Sequence, residues 1–237
     1  MKKLTAILLL SLFIGFAQKP KTLKPFNSIC VEVKEPSDIC INPHNKESFF
    51  VVSDNGFLHE MDANGKILRT SSFVGLDFEA ITIFNGKIIA VEEMARKLNV
   101  FDINNFEVEK SVVIPYGGGR NKGYEAITYN PVSKKIILIT EKDPSWVLEL
   151  DENLMVTSQF QLQIARDISA ITFYKDNLWI LSDEDRTIFK CDPQNYKVLE
   201  SWKIPVVNPE GIVFNQNGEL LILSDDRQKL YFFNLEN

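Results

Sequence analysis

Gly123-Tyr-Glu-Ala-Ile-Thr-Tyr-Asn130, Lys135-Ile-Ile-Leu-Ile-Thr-Glu-Lys142 and Trp146-Val-Leu-Glu-Leu-Asp151 together make one phrase. An acidic opening leads into a short strand. A turn follows, then an apolar run that ends in a carboxylate, then a third strand that ends in aspartate. The phrase occurs five times. The first copy is Pro36-Ser-Asp-Ile-Cys-Ile41, Phe49-Phe-Val-Val-Ser-Asp54 and Leu58-His-Glu-Met-Asp62. The second is Phe78-Glu-Ala-Ile-Thr-Ile83, Ile88-Ile-Ala-Val-Glu-Glu93 and Leu98-Asn-Val-Phe-Asp102. The fourth and fifth open at Ile168-Ser-Ala and Pro209-Glu-Gly, and their apolar runs end at Asp183 and Asp225. A repeat of this length is the signature of a stacked or radial architecture.

Each copy supplies strands A, B and C, with a more polar strand D after them. Strand B is apolar on both faces, which suits a strand covered on both sides. Strand D is the most polar, as in Glu107-Val-Glu-Lys-Ser-Val-Val-Ile114. Polarity that rises outward is expected of a radial sheet. Asn-Gly, Asn-Pro and Asp-Asn pairs stand at the A–B turns, where they supply turn geometry. The reading is all-β: a five-bladed β-propeller of four-stranded antiparallel blades. The blades fall near 35–72, 77–114, 123–163, 167–204 and 208–234. The fifth copy has no strand D of its own, and Ile29–Lys34 reads as one. The N-terminal strand should therefore complete the last blade, which closes the ring and covers an edge.

The chain opens with Lys2-Lys3, an uncharged stretch from Leu4 to Phe16, and small residues at Gly15 and Ala17. That is the pattern of a signal peptide over 1–17, followed by a linker over 18–27 and the propeller over 28–237. The expectation is an exported, periplasmic or envelope-associated monomer, tethered to the membrane if the segment stays uncleaved. Loss of Lys2 and Lys3 takes the net charge from −6 to −8. An acidic balance argues against nucleic acid as a partner. Cys30, Cys40 and Cys191 have no metal spacing, and the topology places Cys30 and Cys40 in different blades, so no disulfide is expected.

Strand direction places the starts of A and the ends of B on one face. The A starts carry Ser37, Glu79, Glu125, Ser169 and Glu210; the B ends carry Asp54, Glu93, Glu141, Asp183 and Asp225. Two acidic rings should meet at one mouth. Carboxylates so close disfavour joint ionisation, unless a divalent cation sits among them, and oxygen ligands suit Ca2+ or Mg2+. The competing reading is that each carboxylate accepts backbone hydrogen bonds at blade junctions. Glu79, Glu125, Glu210, Glu93 and Glu141 are the candidate metal ligands. Asp54, Asp183, Asp225, Arg120 and Trp146 are candidates for contact with an unknown small molecule or envelope protein. Asp62, Asp102, Asp151 and Asp192 end strand C on the other face and read as turn residues. With His44 and His59 the only histidines, a Ser-His-Asp triad or histidine-ligated zinc is hard to build.

The phrases Asp77-Phe-Glu-Ala-Ile, Gly123-Tyr-Glu-Ala-Ile-Thr-Tyr, Glu141-Lys-Asp-Pro144 and Pro209-Glu-Gly-Ile, in this order, resemble the SdiA-regulated (YjiK-like) family of bacterial envelope proteins. The resemblance implies a five-bladed propeller distantly related to NHL repeats, with a bound calcium ion, a membrane association and an unsettled activity. It supports Glu79, Glu125 and Glu210 as calcium candidates, with Glu93 and Glu141 next. Since Ser37 and Ser169 replace acid in two blades, an ion should sit off-centre. Two functions stay open: a non-catalytic calcium-binding module, and a metal-dependent hydrolase similar to the six-bladed lactonases.

Overall fold

The computed structural model describes residues 21–117 and 123–235. The expected signal segment and Arg120 lie outside the described residues. Among those described there is no helix; every regular element is a strand.

Five sheets form. Blade one is β3(Pro36–Ile41), β4(Ser48–Ser53), β5(Leu58–Asp62) and β6(Ile67–Thr70). Blade two is β7(Phe78–Phe84) to β10(Val108–Val113), and blade three is β11(Tyr124–Asn130) to β14(Val156–Gln161). Blade four runs from β15(Ala170–Tyr174) to β18(Val198–Lys203). Blade five is β19(Pro209–Phe214), β20(Leu220–Ser224), β21(Lys229–Phe233) and the N-terminal β2(Asn27–Cys30). Neighbouring strands pair antiparallel within every blade, with Ile29 facing Leu230 across the closing pair.

Two details of the N-terminus differ from expectation. The closing strand covers Asn27–Cys30 rather than residues 29–34. The chain leaves the sheet at Val31 because Val31 and Val33 turn into the core between blades five and one, where both are buried. The expected linker is also partly structured: β1(Lys21–Thr22) pairs parallel with β18 and makes blade four a five-stranded sheet. Leu23, just after it, is buried beside Trp202 and Ile204.

The buried apolar side chains fall into five clusters, one at each blade-to-blade interface. As many interfaces as blades means a closed ring. The B strands are buried along nearly their whole length, whereas β10 and β14 on the outside are mostly exposed. The sequence pattern has this cause: a B strand is covered by a neighbouring blade on each face. The three cysteines are free, and Cys30 and Cys40 lie in different sheets.

Asp62, Asp102, Asp151 and Asp192 are turn residues. Each carboxylate accepts two amide N–H groups of the following turn, as Asp102 does from Asn104 at 2.9 Å and Asn105 at 3.3 Å. Such bonds to its own turn are the usual reason an aspartate stands there.

Candidate cation site at the acidic mouth

All five A strands begin, and all five B strands end, at one face. In four blades the A–B ladder slips by one residue at this point, between Pro36 and Asp38, Phe78 and Ala80, Tyr124 and Ala126, and Pro209 and Gly211. A bulge leaves one residue unpaired and re-aims its side chain. Here the unpaired residues are Ser37, Glu79, Glu125 and Glu210. The repeat's acidic opening is therefore a device that delivers a side chain into the mouth.

The mouth holds a cavity of about 430 Å³ lined, among the described residues, by eleven carboxylates, including Glu79, Glu125, Glu210, Glu93, Glu141, Asp54, Asp183 and Asp225, and by one cationic side chain, Lys142. Eight of the ten residues singled out from the sequence thus line one well. Trp146 does not. It opens β13(Trp146–Leu150) half-buried and packs on the apolar cluster between blades two and three, because its ring finds apolar partners there and none in a charged well.

Three carboxylates of the well were not singled out from the sequence. Asp77 stands two residues before Glu79 and Asp167 two before Ser169, and Glu184 follows Asp183. Asp77 opens the quoted Asp-Phe-Glu-Ala-Ile phrase, which was the available signal. Its φ of 61° turns the chain so that its carbonyl accepts the Glu93 amide at 2.9 Å. That bond seats Asp77 beside Glu93 at the end of the B strand.

The carboxylates are not equally supported. Asp167 accepts the Ser182 hydroxyl and the amides of Asp183 and Glu184, so it holds the loop after strand B in place. Asp54 accepts the Ser37 hydroxyl. Glu141 pairs with Lys142 at 2.7 Å, and Lys142 also reaches Glu184 at 3.1 Å, which links the rims of blades three and four. Glu93, only 6 % exposed, accepts the Gly123 amide at 2.7 Å and shares a hydrogen bond with the Glu125 carboxyl. Glu79 and Glu210 have no side-chain hydrogen-bond donor among the described residues.

Electrostatics follow from this geometry. Burial, then the charges of Asp54, Asp77, Glu210 and Glu93, hold Glu79 well above the usual carboxylate range. Burial and the neighbouring Glu79 and Glu93 do the same to Glu125. Burial, then Asp183 and Asp54, raises Glu210 to about 8. Asp225 is raised to about 6 by burial and by Asp54. Carboxylates crowded without donors resist joint ionisation. A cation among them would remove that penalty.

The tightest group is Asp77, Glu79 and Glu93, each offering one carboxylate oxygen within 4.8 Å of the others. An all-oxygen set suits a hard divalent cation. Two of its members are an A-strand start and a B-strand end of blade two and the third, Asp77, opens that blade, whereas blades one and four present Ser37 and Ser169 in place of acid. Ser169 instead donates to the Pro209 carbonyl at 2.8 Å.

A model of the SdiA-regulated family matches residues 23–234. This chain belongs to the SdiA-regulated family. Among solved structures, this family member is similar to Myxococcus xanthus glutaminyl cyclase, with a TM-score of 0.71 and 10% identity over 90% of this chain and 98% of that one. It is also similar to the β-propeller domain of Myceliophteria thermophila Cps50 (Swd1), with a TM-score of 0.51 and 12% identity over 84% of this chain and 66% of that one. At such identities both likenesses concern the fold.

Proposed function

We propose that this SdiA-regulated protein is a calcium-binding propeller of the cell envelope, exported by its N-terminal segment, whose acidic mouth presents the ion to a small molecule or envelope partner without catalysing a reaction. The observation that carries the reading is the Asp77–Glu79–Glu93 group, in which Glu79 is crowded by charge and has no hydrogen-bond donor among the described residues. Those three would hold the ion, with Glu125 beside them. The bound ion would supply positive charge at the mouth and open coordination positions for an oxygen of the ligand.

A thermal melt tests this directly, since a ligand of the folded state raises stability by mass action. Calcium should raise the melting temperature and a chelator should reverse the rise. No shift sinks the proposal.

One observation favours a second reading, a metal-dependent hydrolase. The Glu125 carboxyl and Glu93 carboxylate share a hydrogen bond in the mouth, and a carboxyl kept protonated can deliver a proton to a leaving group. A metal ion there would polarise the scissile group. Turnover of lactone or phosphodiester substrates, dependent on calcium, would favour this over simple binding.

A further inference from the structure

At the face opposite the acidic mouth the A strands end around a second cavity, of about 510 Å³. Each blade contributes successive A-strand residues to it. The half-buried Ile83, Tyr129 and Phe173 line it as an apolar wall. Thr82 and Thr128, the residues just before Ile83 and Tyr129, line it more deeply. They are only 7% and 5% exposed, and neither hydroxyl hydrogen bonds a described residue. Neither hydroxyl is a fully buried atom left without a partner, so each is open to the cavity, where a ligand group can take the place of water. The two hydroxyls come from the same repeat position in adjacent blades.

The charge pattern narrows the ligand. Among the described residues this cavity has no carboxylate in its lining, in contrast to the mouth. The one ionised side chain among its described lining residues, Lys46, is exposed on the A–B turn of blade one. The threonines offer a head group hydroxyls alone, so a charged head would be desolvated there without a counter-ion. A hydroxyl can both donate to and accept from threonine, and an N–H group can donate to it. The wall is aromatic and aliphatic, and the volume lies in the range of small-molecule sites.

We infer that this cavity is a second binding site, for a small uncharged aromatic molecule with one hydroxyl or N–H head group, held head-down on Thr82 and Thr128 with its ring against Ile83, Tyr129 and Phe173. The site is independent of the cation at the other mouth.

The test uses 4-fluorophenol as the probe and fluorine NMR as the readout on the whole protein. Saturable binding with a Kd of about 1 mM is expected for so small a ligand. Thr128→Val keeps the shape and removes one hydroxyl, and should weaken binding about fivefold, the loss of one neutral hydrogen bond. Ile83→Trp fills the half-buried wall and should abolish binding; a melting curve for each variant establishes that it folds. 4-Fluoroanisole, which cannot donate, should bind more weakly than the phenol, and calcium should leave the Kd unchanged. Non-saturating binding up to about 10 mM, an unchanged Kd in either variant, or competition by calcium overturns the inference.

Discussion

The Asp38 carboxylate, on blade one, accepts the backbone N–H of Ile81, on blade two, at 2.9 Å. Asp38 is 1% exposed and also bonds the amides of Ile39 and of Ile212 on blade five. One side chain therefore ties three inner strands together at the ring's centre, across the seam between the first and last blades. The corresponding positions elsewhere are Ala80, Ala126, Ala170 and Gly211. Burial pushes this carboxyl well above its usual range while the three amides pull it down. Asp38→Ala would fit the space but orphan buried N–H groups. We expect a loss of about 2–3 kcal/mol, read from urea unfolding; an unchanged midpoint would show that the tie contributes nothing.

Glu79→Gln should act in opposite directions on the free and calcium-loaded protein. Without calcium it removes a crowded, desolvated charge, so the melting temperature should rise by roughly 3 °C, equivalent to about 1 kcal/mol. With calcium the variant should show no further rise. Asp102→Asn and Asp192→Asn alter turns on the opposite face and should keep the full calcium response. A calcium shift retained in Glu79→Gln would remove that residue from the ligand set.

Gly123 sits against Glu93. A Cβ at position 123 would stand 2.4 Å from the Glu93 Cγ, closer than any real contact. Gly123→Ala should push Glu93 off the amide it accepts and weaken calcium affinity at least tenfold, about 1.4 kcal/mol. Calorimetric titration reads the change, and wild-type affinity in the variant would mean that Glu93 is not a ligand.

The pH dependence has a definite sign. Glu210, raised to about 8, and Asp225, raised to about 6, bind protons more tightly folded than unfolded. Their contribution to stability is complete below the ordinary carboxylate range and is lost as pH rises through about 6 and then about 8. Below pH 4 the opposite groups take over, since Glu60 and Asp102 are held low, Asp102 at about 2. The calcium-free protein should melt highest near pH 5 and progressively lower toward pH 8.5. Calcium affinity should climb over that same interval, because protons and cation compete for the carboxylates. A flat melting profile in chelator between pH 5 and pH 8.5 would contradict the crowding argument.

Much of the site was legible because the repeat has a direction. Once A and B strands alternate, the first residues of each A strand and the residue after each B strand must share a face, so Glu79, Glu125, Glu210, Glu93, Glu141, Asp54, Asp183 and Asp225 come together by topology alone. Asp77 was harder to read. Its inclusion depends on a left-handed backbone turn that seats it beside Glu93, and no periodicity announces that turn. Trp146 failed for the reverse reason: its place at the start of a strand was correct, but the side of the sheet on which its ring found apolar partners was not encoded in its position.

The amino-acid order by itself determined the number of blades, the closure by an N-terminal strand and the gathering of acid at one end, since these follow from a repeat whose apolar runs must be covered on both faces. Only the tertiary structure decided which carboxylates have donors among the described residues, that Asp38 ties the first and last blades, and where the closing strand ends. Those depend on distances between residues up to some 170 positions apart in the chain, as from Asp38 to Ile212, and packing across a ring sets such distances where local propensity does not.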